Sequence, residues 1–546
     1  MPAVFTAAFA VFLLFVMYLL RGYDDNTLVS WRWIFGYVDA YSLFITLSLS
    51  AIAAYMMSTL GLPGPRGLFV ISLLLGASFL NVPEVMIDSS RYFTQAKHLG
   101  QYGFGYFVRQ WGGEIEAWTD LPLMPLLYGT GFRYIGEYRI VVQAMVLLMF
   151  AGAVTLTSVL GRDMFGRRTG SLAGMFLLSV PYLYSQVPLM MVDVPAMFFL
   201  VLAFYSFRRG LLEGGLWALL WAPLSISMAF FTKYSLWPML SLAVPVLAIC
   251  QAEDDGAWKR SFLTALVFSL ITLPVLWYYR EIVASQIDLL VSYQKPGLKK
   301  WGESLVSTFL FHVHPYVTLA AVASIPLAIK RRERLLIPLV WLVVLVLVVL
   351  DVRRIRYTIP VFPVIALMAA YVISWLKTDR AVRSLACASL TTSFVIALAG
   401  YAPFMQTHSL VNLKLAGQYL DASAIDTVTV MAMPQKSVIN PAVSVPLLDL
   451  YTQARIIYYF RISPAISPEE TERSSFRFTW TYRNPDYYES SADVDQPEAL
   501  VYVTPETVGL QNHELQGMEV AEKYDINEGL FKFNPFVLIY RPVIDK

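Results

Sequence analysis

The sequence predicts a polytopic α-helical membrane protein with a small α/β domain at its C-terminal end. Three observations predict it. Hydrophobic residues make up 57% of the 546-residue chain and charged residues only 15%, where a soluble domain carries about 25% charged residues. The apolar residues gather in about thirteen runs, each near the roughly 17–25 residues a helix needs to cross the hydrocarbon core. The composition then breaks at residue 403: the segment 403–546 holds 11 Lys/Arg and 18 Asp/Glu, net −7, which leaves +9 for the rest of a chain of net +2. A soluble enzyme is excluded because it could not bury so much apolar surface. A disordered chain is excluded by the same excess.

The expected spans are 4–20, 40–60, 67–83, 138–160, 169–187, 192–207, 215–231, 235–251, 261–279, 315–329, 335–350, 357–376 and 383–402. The first has no basic n-region before it and no small-residue cleavage pattern after Arg21, so it reads as a retained span. The stretch 215–251 is too long for one helix, and Phe231-Thr232-Lys233 is the natural turn. Alternate short loops hold fifteen basic residues, among them Arg66, Arg162, Arg167, Arg168, Arg208 and Arg209. The positive-inside rule puts these loops and the N-terminus in the cytoplasm. Segments 84–137, 280–314 and 403–546 then fall outside. The expected organisation is two N-terminal spans in 1–66, a membrane domain in 67–402, and a soluble extracytoplasmic domain in 403–546. In the last, 428–431 and 536–540 read as strands and 413–422 as a helix. No internal repeat is visible, which weighs against transporters built from repeated halves. Cys250 and Cys387 lie in apolar runs and supply neither a disulfide framework nor a zinc site.

Charges beside a membrane are costly, so each calls for a reason. Glu84 and Asp88 follow the third span and lie one helical turn apart, so both can face one cavity. Either is placed to take a proton from an attacking hydroxyl, while Asp88 reads equally well as a helix cap. Asp193, in Val192-Asp193-Val194-Pro195, sits at a tight outer turn and fits an N-cap as well as a site role. Lys233 lies at the outer end of a hairpin, where it can snorkel to the interface or present a point charge to a phosphate. The run Asp351-Val352-Arg353-Arg354-Ile355-Arg356-Tyr357 sets three arginines on an outer face where few are expected. Guanidinium clusters suit phosphate; pairing with Asp351 or with anionic lipid is the alternative. His312-Val313-His314 offers two imidazoles, too few for a metal site. Lys295 to Trp301 reads as a basic loop touching lipid headgroups. Tyr102, Phe104, Tyr106, Phe107, Trp111 and Trp118 read as an aromatic stretch lying in the interface. There is no Walker loop, no GxGxxG after a strand and no nucleophile elbow, hence no nucleotide-driven pump; nothing points to nucleic acid.

These motifs, in this order, resemble the GT-C glycosyltransferases that use polyprenyl-phosphate sugars, of the protein O-mannosyltransferase and aminoarabinose-transferase type. Asp88-Ser89-Ser90-Arg91-Tyr92 is similar to the Asp-Glu-x-x-Tyr pattern that opens the first outer loop of that family. Ser89 stands at the second acidic position, and Glu84 is its candidate substitute. Leu121 to Tyr128 is similar to the family's Pro-Pro-Leu-Tyr segment, and Asp193-Val194-Pro195 to its second acidic motif. Thr232-Lys233-Tyr234 is similar to Lys-Gly, with Tyr234 in place of the glycine, and Arg353 to Pro360 to Arg-Tyr-x-x-Pro. The resemblance spans about 67–376. It implies an inverting transfer of a sugar from a polyprenyl phosphate to a hydroxyl on a glycan, lipid or protein, at the outer membrane face. It implies Asp88 as base, with Asp193, for positioning, and Glu84 as the further catalytic residues. Lys233, Arg353, Arg356 and Arg91 are then expected on the donor phosphate, and Tyr92, Tyr357 and Asp120 on substrate. No cofactor is expected, and no ligand set supports a divalent metal. A lipid-linked sugar flippase is the alternative, and a non-catalytic scaffold presenting the acidic tail a third reading.

Overall fold

The computed structural model describes residues 2–27, 29–296, 302–435, 438–458, 467–482, 485–488, 498–505, 517–528 and 530–543. Helices occupy every expected apolar run. Seven are long and apolar enough to cross a membrane: Ala40–Met57, Arg139–Phe165, Asp193–Glu213, Leu236–Glu253, Ala257–Tyr278, Ile355–Ser374 and Asp379–Gln406. Four shorter apolar helices accompany them, Val4–Leu19, Pro65–Ala77, Trp217–Thr232 and Arg334–Val349. The remaining two runs form Arg167–Leu177 followed by Pro181–Gln186, and Pro315–Arg331. Among the described residues, seven of the thirteen meet the length criterion. Pro65, Pro181 and Pro315 each start a helix at its first turn, where a missing N–H costs nothing.

Close helix packing relies on small residues, as expected where lipid removes the hydrophobic drive for association. Helix Arg139–Phe165 turns at Gly166, whose φ is +96°, into helix Arg167–Leu177. The two then run so close that a Cβ on Gly170 would strike the Ser158 carbonyl and the Arg162 backbone. The bundle has two unlike ends. At one, Arg209 reaches Asp163 and Glu213. At the other, the start of Asp193–Glu213 meets the end of Trp217–Thr232 and the start of Ile355–Ser374.

The C-terminal part forms a five-stranded sheet in the order β2-β1-β3-β5-β4. Its strands are β1 Thr427–Ala432, β2 Arg455–Tyr458, β3 Ala499–Thr504, β4 Met518–Tyr524 and β5 Phe536–Pro542. β1 pairs parallel with β2 and β3, while β5 is antiparallel to both β3 and β4. All six residues of β3 are buried, so it reads as a continuous apolar run, as strands covered on both faces do. β4 at the edge is mostly exposed and carries Glu519, Glu522 and Lys523, charges that discourage further strand pairing. The strand runs 428–431 and 536–540 fall in β1 and β5, and the helical run falls in Val411–Ala422.

This sheet region docks on the helix Asp88–Tyr102. Lys97 from that helix donates to Glu137 and to Asp449, each at 2.6 Å. Its ammonium also lies 5.3–5.5 Å from the ring centroids of Phe93, Tyr487 and Tyr488, near enough for cation–π attraction. Tyr451 accepts from the Glu84 backbone N–H at 2.5 Å. Burial first, and the Asp449 charge second, raise the Glu137 carboxyl to about 7 against the pull of Lys97. An acid whose pKa rises on folding stabilises below its ordinary value and gives that contribution up as pH climbs through the raised one. The thermal midpoint in detergent should therefore fall between pH values near 4.5 and 7. Glu137→Gln should flatten that slope, and an unaltered slope would remove Glu137 from this role.

Candidate active site

Asp88 is the first residue of helix Asp88–Tyr102, yet its side chain makes no cap. Its carboxylate turns to two arginines instead: Arg356 donates at 2.6 Å and Arg91 lies at 3.5 Å. Arg91 also donates to Asp120 at 3.1 Å, and Gln95 donates to the other oxygen of Asp120 at 3.1 Å. Arg356, Asp88, Arg91 and Asp120 thus form a row of alternating charge, all buried. Burial alone would raise the Asp88 carboxyl. Arg356, then Arg91 and Arg354, outweigh it and hold the group well below the usual carboxylate range. Asp120 moves the other way: its burial exceeds the help of Arg91 and Gln95, and its carboxyl is raised.

A second buried pair stands beside the first. Asp193 opens helix Asp193–Glu213 without capping it and accepts from Lys233, the residue that ends helix Ala222–Thr232. The Tyr357 ring joins the two pairs. Lys233 Nζ lies 4.1 Å from its centroid, and the guanidinium groups of Arg354 and Arg356 lie 5.3 and 5.4 Å away. Three cations from two separate helix ends therefore surround one phenol ring, with Asp88 bonded to one of them. Several buried polar atoms here have no partner among the described residues: Arg356 Nε, Arg91 Nε and Nη1, Asp193 Oδ2 and Glu303 Oε1. Buried polar groups are seldom left unmet without cause. A mostly apolar cleft of about 630 Å³ adjoins this cluster, lined by Val29, Ile34, Val85, Met86 and Phe404 together with Glu303, Arg354 and Arg356.

Two expected site residues stand elsewhere. Glu84 is a strut: one oxygen accepts from Arg139 at 3.2 Å and from the Met190 N–H at 3.0 Å, and the other from Ser89 at 2.7 Å. With both oxygens engaged by protein groups and the residue 1% exposed, it is held as the partner of Arg139. Arg353 points outward, half exposed, and pairs with Asp351 at 3.0 Å; its neighbour Arg354 takes the inner position. The register of the turn before helix Ile355–Thr358 decides between them, and consecutive arginines give no signal for it. Glu303 was also not legible: it follows a glycine in the segment 280–314 and reaches the site by accepting from the Ile355 N–H. Burial, above all, raises its carboxyl. Tyr92 is buried and stands 5.9 Å from the Arg91 guanidinium. Among the described residues no group of three or more His, Cys, Asp or Glu is placed to hold a metal. The two histidines of the HxH run part company: His312 bonds Tyr401 at 2.5 Å, while His314 caps helix Pro315–Arg331 through the Tyr316 N–H. Of the aromatic stretch, Phe107, Trp111 and Trp118 are buried, and Tyr102 and Phe104 are exposed. In the basic loop 295–301, positions 297–301 lie outside the described residues.

Comparison with known proteins agrees with this architecture. Residues 120–278 match the sequence model of the dolichyl-phosphate-mannose-protein mannosyltransferase family, less than half of the chain. The crystal structure of ArnT from Cupriavidus metallidurans bound to undecaprenyl phosphate superposes with a TM-score of 0.56 at 14% identity, over 86% of this chain and 97% of that one. Its apo state gives 0.55 at the same identity and coverage. An oligosaccharyltransferase from Archaeoglobus fulgidus, in complex with zinc and sulfate, gives 0.44 at 13% identity over 80% of this chain and 68% of that one. No curated protein matches the chain by sequence. The chain is an integral membrane protein with the GT-C fold, followed by a small sheet domain.

The Lys233–Asp193 pair gives a direct stability test. Breaking a buried pair from one side costs about 3–5 kcal/mol, whereas replacing both partners by apolar residues is often nearly neutral. Asp193→Ala should lower the melting temperature in detergent, and adding Lys233→Met should recover most of the loss. Strictly additive losses would mean that the two charges are not coupled.

Proposed function

We propose that this protein is a membrane glycosyltransferase that moves a sugar from a polyprenyl-phosphate carrier to an acceptor hydroxyl at the extracytoplasmic face. The observation that carries the reading is the position of Arg356, which holds Asp88 with one nitrogen and stands with Lys233 and Arg354 around Tyr357. One buried spot thus offers a cluster of cations for a leaving phosphate and a carboxylate for an incoming hydroxyl. The apolar cleft that Arg354 and Arg356 help to line suits an isoprenoid tail attached to that phosphate. The likeness to ArnT in its undecaprenyl-phosphate complex and the family match over 120–278 support the same class of donor.

In the reaction proposed, the acceptor oxygen attacks the anomeric carbon as the bond from that carbon to the phosphate oxygen breaks. The bonding pair leaves on the phosphate, where Lys233, Arg354 and Arg356 stabilise it. The hydroxyl proton passes to Asp88, and a single displacement inverts the anomeric centre. A carboxylate held as low as Asp88 is a weak base while Arg356 and Arg91 are on it. A phosphate that draws Arg356 toward itself returns basicity to Asp88, so donor binding arms the base. Asp193 holds Lys233 in place. Glu84 and Arg353 have no part in the chemistry. In this reading the chain crosses the membrane thirteen times, its N-terminus is cytoplasmic, and the site and the C-terminal domain are outside.

The test is transfer from a radiolabelled polyprenyl-phosphate sugar in membranes, together with mass spectrometry of co-purifying lipids. Asp88→Asn should cut transfer by about 10²- to 10⁴-fold while isoprenoid phosphate still co-purifies. Arg356→Met should lose the lipid itself. Undiminished transfer by folded Asp88→Asn would take the base role away from Asp88.

A further inference from the structure

The arginines of the site are held by groups from distant parts of the chain. Phe478, from the C-terminal segment, lays its ring 4.6 Å from the Arg91 guanidinium. Arg354 and Arg356 are held in another way, through the backbone between them. They flank Ile355, the first residue of the helical run Ile355–Ser374. The N–H groups of a first helical turn have no partner within their own helix. The Ile355 N–H donates to Glu303 Oε2, and a carboxylate at that end also suits the helix dipole. The chain just before Ile355 gives this turn little support. Residues 351–354 are in neither helix nor strand, and Asp351 has a φ of +45°, which costs a non-glycine residue free energy.

Glu303 lines the cleft together with Arg354 and Arg356 and is 2% exposed. A carboxylate set beside cations meant for a phosphate would oppose that ligand if charge were its purpose. What it supplies to the arginines is the hydrogen bond that fixes where their side chains leave the backbone.

Glu303 is in turn held from the N-terminal end of the chain. The next residue, Ser304, donates its N–H to Asn26 Oδ1 at 3.1 Å. Ser304 also caps helix Leu305–Phe311, and Ser307 in that helix donates its hydroxyl to Asp25. The N-terminal turn is itself closed by Asp24, which accepts from the Asn26 N–H at 3.1 Å and from the Trp31 N–H at 2.7 Å. The tie therefore runs from Asn26 to Ser304 across 278 positions, and from Glu303 to Ile355 across a further 52. Its first link lies before residue 67, outside the stretch that carries the family resemblance.

We propose that Glu303 is a positioning residue of the donor site: its hydrogen bond to Ile355 sets Arg354 and Arg356 for the phosphate, and the N-terminal turn 24–31 holds Glu303 in register. This role rests on the donor reading above.

The experiment is binding of radiolabelled undecaprenyl phosphate to the full chain in detergent, with the KM for the sugar donor measured in parallel. Glu303→Gln keeps an oxygen for the Ile355 N–H and Glu303→Ala does not, while both remove the same charge. The contrast between them reads the hydrogen bond and not the charge. Glu303→Ala should weaken binding and raise KM about tenfold, with Glu303→Gln within about twofold of the wild type. Asn26→Ala leaves Glu303 in place and frees the backbone behind it. It should weaken binding about threefold, and it decides the matter if Glu303→Ala does not fold. The proposal is overturned if the Gln and Ala variants bind alike, whether both keep full affinity or both lose it, or if Asn26→Ala binds as the wild type does. A wild-type chain that binds no undecaprenyl phosphate would sink the donor reading itself, and this role with it.

Discussion

The structure depends on the need to neutralise charge at a buried membrane edge. Asp88, Asp193, Arg91, Arg356 and Lys233 are each 14% or less exposed in their side chains, and none could stay ionised there alone. Each carboxylate answers a cation from a different element. Asp88 answers Arg356 across 268 positions of sequence, and Asp193 answers Lys233 across 40. Electrostatic pairing therefore fixes which helix ends must meet, and the apolar packing below follows. Alternating signs also leave the row nearly neutral, so it can remain assembled between encounters with a charged ligand.

The same pairing sets a tension between stability and chemistry. The arginines that make Asp88 affordable also make it a weak base. In the reaction proposed, Asp88 stays a weak base until the donor phosphate competes for Arg356. Asp193 serves the other half of the arrangement by keeping Lys233 turned inward in place of snorkelling. The unpartnered atoms on Arg356, Arg91 and Asp193 are the part of the network that protein groups do not complete.

Much of this was legible in the sequence, for identifiable reasons. Apolar runs locate helices because the bilayer leaves backbone groups no other partners. An outer arginine cluster that defies the positive-inside rule, and an isolated acid before Val-Pro, marked Arg356 and Asp193 because such charges are expensive. Spacing misled where it was asked to give orientation. Glu84 and Asp88 are one turn apart only if a helix covers both, and the helix begins at Asp88; Glu84 lies in the turn before it and faces Arg139. Arg353 and Arg354 differ in direction through a local backbone turn that composition does not encode. Glu303 and Phe478 come from remote segments, and their roles exist only once the chain has folded.

The stacking of Phe478 on Arg91 has a temporal side. The ring belongs to a residue that leaves the ribosome almost four hundred positions after the arginine it covers. A nascent chain whose helices are already in the bilayer still has that arginine bare. Biosynthesis therefore leaves that guanidinium uncovered until the trailing segment has docked.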